Sequence, residues 1–206
     1  MTSYFLTLSW AALAAACLLG GCATTPDPQV MASLAGADPT TLARVRLYGN
    51  NGANIVFYRN TSCIPKSGEG STRVSGSLGQ SFGALVGSNL NETIGMPASE
   101  RSTHSRNGVL AREFFKEYPV KAGEPLAVTM GFTGTPIVPI IGALKMTGSA
   151  ASCRIPGGVF VPKAGQDYDV YLDIRANAGV CLMSVSAIGA QGEGVAQPVQ
   201  AAQACP

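Results

Sequence analysis

Hydrophobic and polar residues alternate along much of the chain, and the alternation marks strands. Ala43-Arg44-Val45-Arg46-Leu47-Tyr48 alternates, and Asn54-Ile55-Val56-Phe57-Tyr58 is rich in β-formers, with Gly49-Asn50-Asn51-Gly52 between them. Asn-Gly accepts the positive φ of a tight turn, so this stretch predicts a β-hairpin. Val109 to Tyr118 (VLAREFFKEY) fits a helix face and a strand face alike, and its turn-rich flanks and β-rich neighbours favour a strand. After a turn at Lys121-Ala122-Gly123-Glu124, Leu126, Val128, Met130 and Phe132 alternate with Ala127, Thr129 and Gly131. Pro162-Lys163-Ala164-Gly165 predicts another turn. On the strand that follows, Tyr168, Val170, Leu172 and Ile174 face one way, while Asp167, Asp169, Tyr171, Asp173 and Arg175 face the other. That pattern predicts one buried face and one solvated face. Cys181, Met183, Val185 and Ala187 share a face of the next strand. Eight or so short strands separated by turns predict a mainly β protein, an antiparallel β-sandwich.

Three stretches interrupt this pattern. Leu78, Phe82, Leu85, Val86 and Leu90 recur at helical spacing, with Gly79, Gly83 and Gly87 at every fourth residue. A short helix and a Gly-rich loop insertion both fit, because glycines in a helix cost about 1 kcal/mol each relative to Ala. Thr93 to Gly108 is polar and predicts a surface loop. Gly134 to Leu144 is apolar, with no charge before Lys145, and Pro136 and Pro139 exclude a central strand. A core strand with an irregular edge is one reading of it. The other is an exposed finger that docks on a partner or enters the membrane, with Pro136, Ile137, Pro139, Ile140, Ile141 and Leu144 as contact candidates. The Gly/Ser segment from Ser77 to Asn89 is a second contact candidate.

The N-terminus carries an address. Thr2 to Gly21 contains no charge and ends in small residues, as secretory signals do. Leu19-Gly20-Gly21-Cys22 resembles a bacterial lipobox, which implies cleavage before Cys22 and acylation of that residue. Several acyl chains anchor stably where one binds only marginally. An uncleaved membrane helix is the alternative, since no Lys or Arg precedes the apolar run, and Ala14-Ala15-Ala16-Cys17 is a second cleavage candidate. No Asp follows Cys22, and by resemblance to enteric sorting this implies the periplasmic face of the outer membrane. The expected organisation is a signal peptide at 1–21, a tether at 22–42, a β-sandwich at 43–188 and a Gly/Ala/Gln-rich tail at 189–206.

Composition narrows the function by exclusion. The 206 residues carry 14 Lys+Arg against 12 Asp+Glu, too balanced for a nucleic-acid partner, while 46% hydrophobic residues supply a core. Beyond Cys22 and the signal, four cysteines remain in an oxidising compartment: Cys63, Cys153, Cys181 and Cys205. Cys153 with Cys181 and Cys63 with Cys205 is the favoured pairing, and Cys181 with Cys63 stays open. No C-x-x-C pair argues for zinc, and no cofactor motif is present.

Candidate catalytic groups are few. Gly79-Gln80-Ser81-Phe82-Gly83 matches the G-x-S-x-G nucleophile elbow, but no strand precedes Ser81, and His104, the only His, lies in the same short region. His104 itself reads as a solvated side chain among Arg101 and Arg106. Asp167 and Asp169 offer at most a weak Ca²⁺ site, without EF-type spacing.

The lipobox, the tether and the run Phe160-Val161-Pro162-Lys163-Ala164-Gly165-Gln166-Asp167-Tyr168-Asp169-Val170, followed by a Cys-containing strand, resemble small proteobacterial outer-membrane lipoproteins with a β-sandwich body. That resemblance implies no assigned activity and no functional residue beyond Cys22. The expected function is non-enzymatic: a lipid-anchored envelope protein, held in the membrane by acylated Cys22, that serves as an accessory interaction module for another envelope protein. A periplasmic immunity or inhibitor lipoprotein is the alternative, and a Ser hydrolase using Ser81 is a third reading.

Overall fold

The computed structural model describes residues 38–49, 53–75, 91–103, 113–134, 137–140, 143–146, 151–175 and 180–206. The signal, the lipobox with Cys22, most of the tether, Ser81, His104, Pro136 and Ile141 lie outside these residues.

Two five-stranded sheets pack face to face, giving a β-sandwich. In chain order the strands are β1 (Leu42–Gly49), β2 (Ala53–Arg59), β3 (Cys63–Ile64), β4 (Ser71–Arg73), β5 (Phe114–Lys121), β6 (Leu126–Gly134), β7 (Ile137–Ile140) and β8 (Ala143–Met146). There follow β9 (Ala151–Phe160), β10 (Asp167–Arg175), β11 (Val180–Ile188), β12 (Gly194–Ala196), β13 (Gln200–Ala201) and β14 (Gln203–Ala204). The first sheet runs β12-β11-β10-β1-β5, and the second runs β13-β9-β6-β2-β4. A short helix, α1 (Glu100–Thr103), lies between β4 and β5.

Alternation fills the space between the sheets. Val45 and Leu47 of β1, Ile55 and Phe57 of β2, Val128 and Met130 of β6 and Val170 of β10 are all nearly inaccessible. Rings cross the interface: Phe57 meets Tyr118 at 4.9 Å between centroids, and Phe160 meets Tyr168 at 5.4 Å. Tilted aromatic pairs at such distances add to the stabilisation from burial alone. Gly158 leaves room for Met183 of the facing sheet, whose sulfur would lie 2.4 Å from a Cβ at that position. The turns expected at 121–124 and 162–165 are present, and Gly123 and Gly165 adopt positive φ of 77° and 69° there.

Two expectations are corrected. The hairpin predicted between Ala43–Tyr48 and Asn54–Tyr58 does not form, because β1 and β2 belong to different sheets. Both edges of β1 are taken, by β5 in antiparallel register and by β10 in parallel register, so the chain crosses between sheets after Gly49. That parallel pair, together with β3 and β14, is a departure from an otherwise antiparallel sandwich. Residues 189–206, expected as a tail, contribute β12, β13 and β14. β13 pairs with β9 and β14 with β3, and Ala202 between them is buried in a cluster with Tyr58, Ala127 and Val159. The C-terminal segment thus covers the outer side of the second sheet.

Ile137, Pro139 and Ile140 lie on β7 and Leu144 on β8, which pair only with each other as a two-stranded hairpin separate from both large sheets. This removes the segment from the sandwich strands, against the reading of it as a core strand with an irregular edge.

Candidate functional site

The face of β10 expected to be solvated is buried at its start, while Tyr171 and Asp173 further along are partly exposed. Asp167 is 8% exposed and Asp169 only 3%. Residues 91–103 pass over the outer face of the first sheet, where sequence reasoning expected a surface loop. They are tied to β5 at one end, where Glu92 N donates to Phe115 O at 3.0 Å and Glu117 N donates to Glu92 O at 2.9 Å. Beneath this strap the strand register lines up Glu117 of β5, Arg46 of β1, Asp169 of β10 and Ser186 of β11 across the sheet.

Arg46 is 2% exposed and organises the cluster. Its Nε and Nη2 donate to Glu117 Oε1 at 2.9 and 2.7 Å, and Nη1 donates to Ser99 Oγ at 3.2 Å and Asp169 Oδ1 at 3.3 Å. Nη2 also donates to Pro97 O at 2.8 Å, while Glu117 Oε2 accepts from Ile94 N at 2.7 Å and Met96 N at 3.1 Å. Charged side chains thereby substitute for a strand partner in satisfying the strap's backbone groups. Tyr48 OH donates to Asp169 Oδ1 at 3.2 Å, and Phe115 lies under the guanidinium, 4.8 Å from its ring centroid. Next to this cluster, Arg44 holds Asp167 in a two-pronged pair at 2.6 and 2.7 Å.

Ser99 caps α1 in a capping box, with Ser102 N donating to Ser99 Oγ at 3.1 Å and Ser99 N donating to Ser102 Oγ at 2.8 Å. The Ser99 hydroxyl donates to Asp169 Oδ2 at 2.5 Å. Within α1, Arg101 pairs with Glu113 and stacks on Tyr171, 3.7 Å from the ring centroid.

Burial pushes the Asp169 carboxyl above the usual aspartate value, while the Ser99 hydroxyl, the Arg46 charge, the Tyr48 hydroxyl and the Arg101 charge pull it back. Burial, and then the Asp169 charge, raise the Tyr48 phenol. For Arg46 burial opposes the charge, but the Glu117 hydrogen bond and the charges of Tyr48, Asp169 and Glu117 outweigh it, so its pKa is raised.

Beside this cluster a pocket of about 280 Å³ opens to solvent. Ser99, Glu100 and Arg101 form one wall, Asp169, Tyr171 and Ser186 the floor, and the β11–β12 turn with Gly192 the far side. The turn and the strap are joined by Glu100 N, which donates to Gly192 O at 2.9 Å.

Chemically, the cluster is a buried polar core. The Ser99 hydroxyl donates to the Asp169 carboxylate while its oxygen accepts from the Arg46 guanidinium and the Ser102 N–H, so its lone pairs are engaged in structural hydrogen bonds rather than free for attack. Asp167 and Asp169 engage arginines, and no group of three potential metal ligands occurs among the described residues. Cys63 and Cys205 form a disulfide with Cα atoms 5.0 Å apart, which excludes Cys181 with Cys63. Cys181 is also disulfide-bonded; Cys153 stands opposite Phe132 on β9, and its side chain is outside the described ones. Arg46, Glu117, Tyr48 and Ser99 were not singled out in the sequence. The only signal there was an Arg alternating with Val45 and Leu47, which reads equally as a solvated face. Compared with known proteins, the chain matches no family model, and no curated protein and no solved structure is similar enough to lend it a function.

Proposed function

We propose that the protein is a non-enzymatic lipoprotein, held by acylated Cys22 at the periplasmic face of the outer membrane, whose sandwich serves as an accessory interaction module for another envelope protein. The observation that supports this reading is the Cys63–Cys205 disulfide, because structural disulfides form and persist in oxidising compartments. It accords with the lipobox-like Leu19-Gly20-Gly21-Cys22 and with a tether long enough to carry the body clear of the lipid. Fully extended, residues 22–38 reach on the order of 55 Å. The non-enzymatic part of the reading is supported by the commitment of Ser99, Asp169 and Glu117 to structural hydrogen bonds. The β7–β8 hairpin, outside both large sheets, is the proposed contact element.

The test is in-cell crosslinking followed by affinity capture, with Cys22→Ser as the unlipidated control. The expected result is one envelope partner captured by the lipidated form alone, together with loss of Cys22→Ser from the membrane fraction. Ile137→Asp and Ile140→Asp are expected to abolish capture while leaving the fold intact. Capture of a toxin by both forms would replace this reading with an immunity protein. Hydrolytic activity lost in Ser81→Ala would replace it with an enzyme.

A further inference from the structure

The geometry points to the outer edge of β8 as the place where a partner protein adds a β-strand, an extended segment in which carboxylates alternate with apolar residues. The inference rests on the proposed contact role of the β7–β8 hairpin, and gives that contact its mode and its partner's chemistry. Seven of the eight strand residues of the hairpin are apolar, and its register sets apolar residues on both faces. Among the described residues neither strand has a second neighbour. A two-stranded ribbon is marginal in water and gains stability from a third strand.

Register decides which of the two edges accepts it. Ile140 and Ala143 flank a two-residue connection and close it as a hydrogen-bonded pair. Hydrogen-bonded and non-hydrogen-bonded pairs alternate along an antiparallel ladder, so Val138 and Lys145 form the next bonded pair. Pro139 with Leu144, and Ile137 with Met146, are the non-bonded pairs, whose backbone groups face away from the hairpin. Pro139 fits that place because it has no N–H to give the ladder, but it also removes a donor from the middle of the outer edge of β7. β8 has no such gap. Leu144 and Met146 each present an N–H and a C=O outward, the pattern that an added strand needs.

Charge and position identify the partner. No Asp or Glu occurs from Pro125 to Gln166, while Lys145 lies on β8 itself and Arg154 on β9. A second copy brings the same uncompensated cations, whereas a strand bearing carboxylates neutralises them, and opposite charges across a strand pair are stabilising where like charges are not. The chain enters the sandwich at its other end. Thr41 O accepts from Ala122 N beside the turn that precedes β6, and the nine residues of β6, about 30 Å of strand, separate that turn from the hairpin. The hairpin thus follows the end of β6 remote from the entry of the tether, which favours a protein partner over the anchoring membrane. β11 also lacks a second neighbour above Val185 among the described residues, but it carries no charge to select a partner.

The experiment follows backbone amide exchange by NMR in the isotope-labelled full chain in detergent. The probes are the end-capped peptide Val-Glu-Val-Thr-Val-Glu-Val, a twin with Lys in place of both Glu, and a twin N-methylated at every amide. Saturable binding of the acidic peptide is expected, with slowed exchange at the Leu144 and Met146 amides. Binding is expected to be at least about tenfold weaker for the Lys peptide, and in Leu144→Pro, which removes an outward N–H and no ladder donor. The N-methylated twin keeps the side chains, loses the donors and is expected not to bind, a result that needs no variant to fold. Equal binding of that twin, protection of Ile137 or Met183 in place of Leu144 and Met146, or no binding of the acidic peptide overturns the assignment. In cells, partner capture unchanged in folded Leu144→Pro overturns strand addition and leaves the accessory role standing. Peptide pairing without any captured partner supports the edge and removes that role.

Discussion

Arg46 donates to oxygens of Glu117, Ser99, Asp169 and Pro97 from one buried guanidinium. Its value lies in what would be left without it. Arg46→Met strands two buried carboxylates without a counter-charge, and such a loss costs about 3–5 kcal/mol. Urea denaturation should show it as a lower midpoint. Arg46→Lys is expected to recover only part, since an ammonium cannot reproduce the fork that meets Glu117 and Pro97 together. Asp169 yields a pH prediction. Its folded pKa is raised above 3.8, so its contribution to stability is full below that value and is lost as pH rises through the folded pKa. Asp169→Asn is therefore expected to lose less stability than the wild type between about pH 4 and neutrality, as read from denaturation midpoints across a pH series. A steeper loss in the variant would contradict this sign.

Among the elements, the strap at 91–103 and the C-terminal strands do the same work on opposite sides of the sandwich by different chemistry. The strap is bound mainly by charge-assisted hydrogen bonds, with Met96 its one buried apolar side chain. The C-terminal segment is bound by short strand pairings, by Ala202 and by the Cys63–Cys205 disulfide, whose partners are 142 residues apart. A loop of that length contributes about 5 kcal/mol in the chain-entropy model. Cys205→Ser is expected to lower stability by about 2–5 kcal/mol and to raise amide exchange in β13 and β14 before the central strands exchange. Equal exchange throughout would mean that the segment is held without the disulfide. The sequence showed these strands poorly because each is two or three residues long, too short for a period of two to declare itself.

For the molecule as a whole, the described part of the chain forms two sheets whose outer faces are also partly covered. That explains the reach and the limits of reading the sequence. The mainly β class, the turns at 121–124 and 162–165 and the inward faces of β6, β10 and β11 follow from alternation and turn chemistry, which act locally and are written in adjacent residues. The Cys63–Cys205 pairing was one of three that four cysteines allow. By contrast, the crossing of β1 and β2 to different sheets, the parallel pairing of β1 with β10 and the burial of Asp167 and Asp169 depend on which distant segment occupies an edge or a face. A polar residue on a strand looks the same in sequence whether water or another segment lies over it. Local pattern determined where strands begin, end and turn inward; long-range packing alone decided which polar face became the interior of the Arg46 cluster and the wall of a pocket.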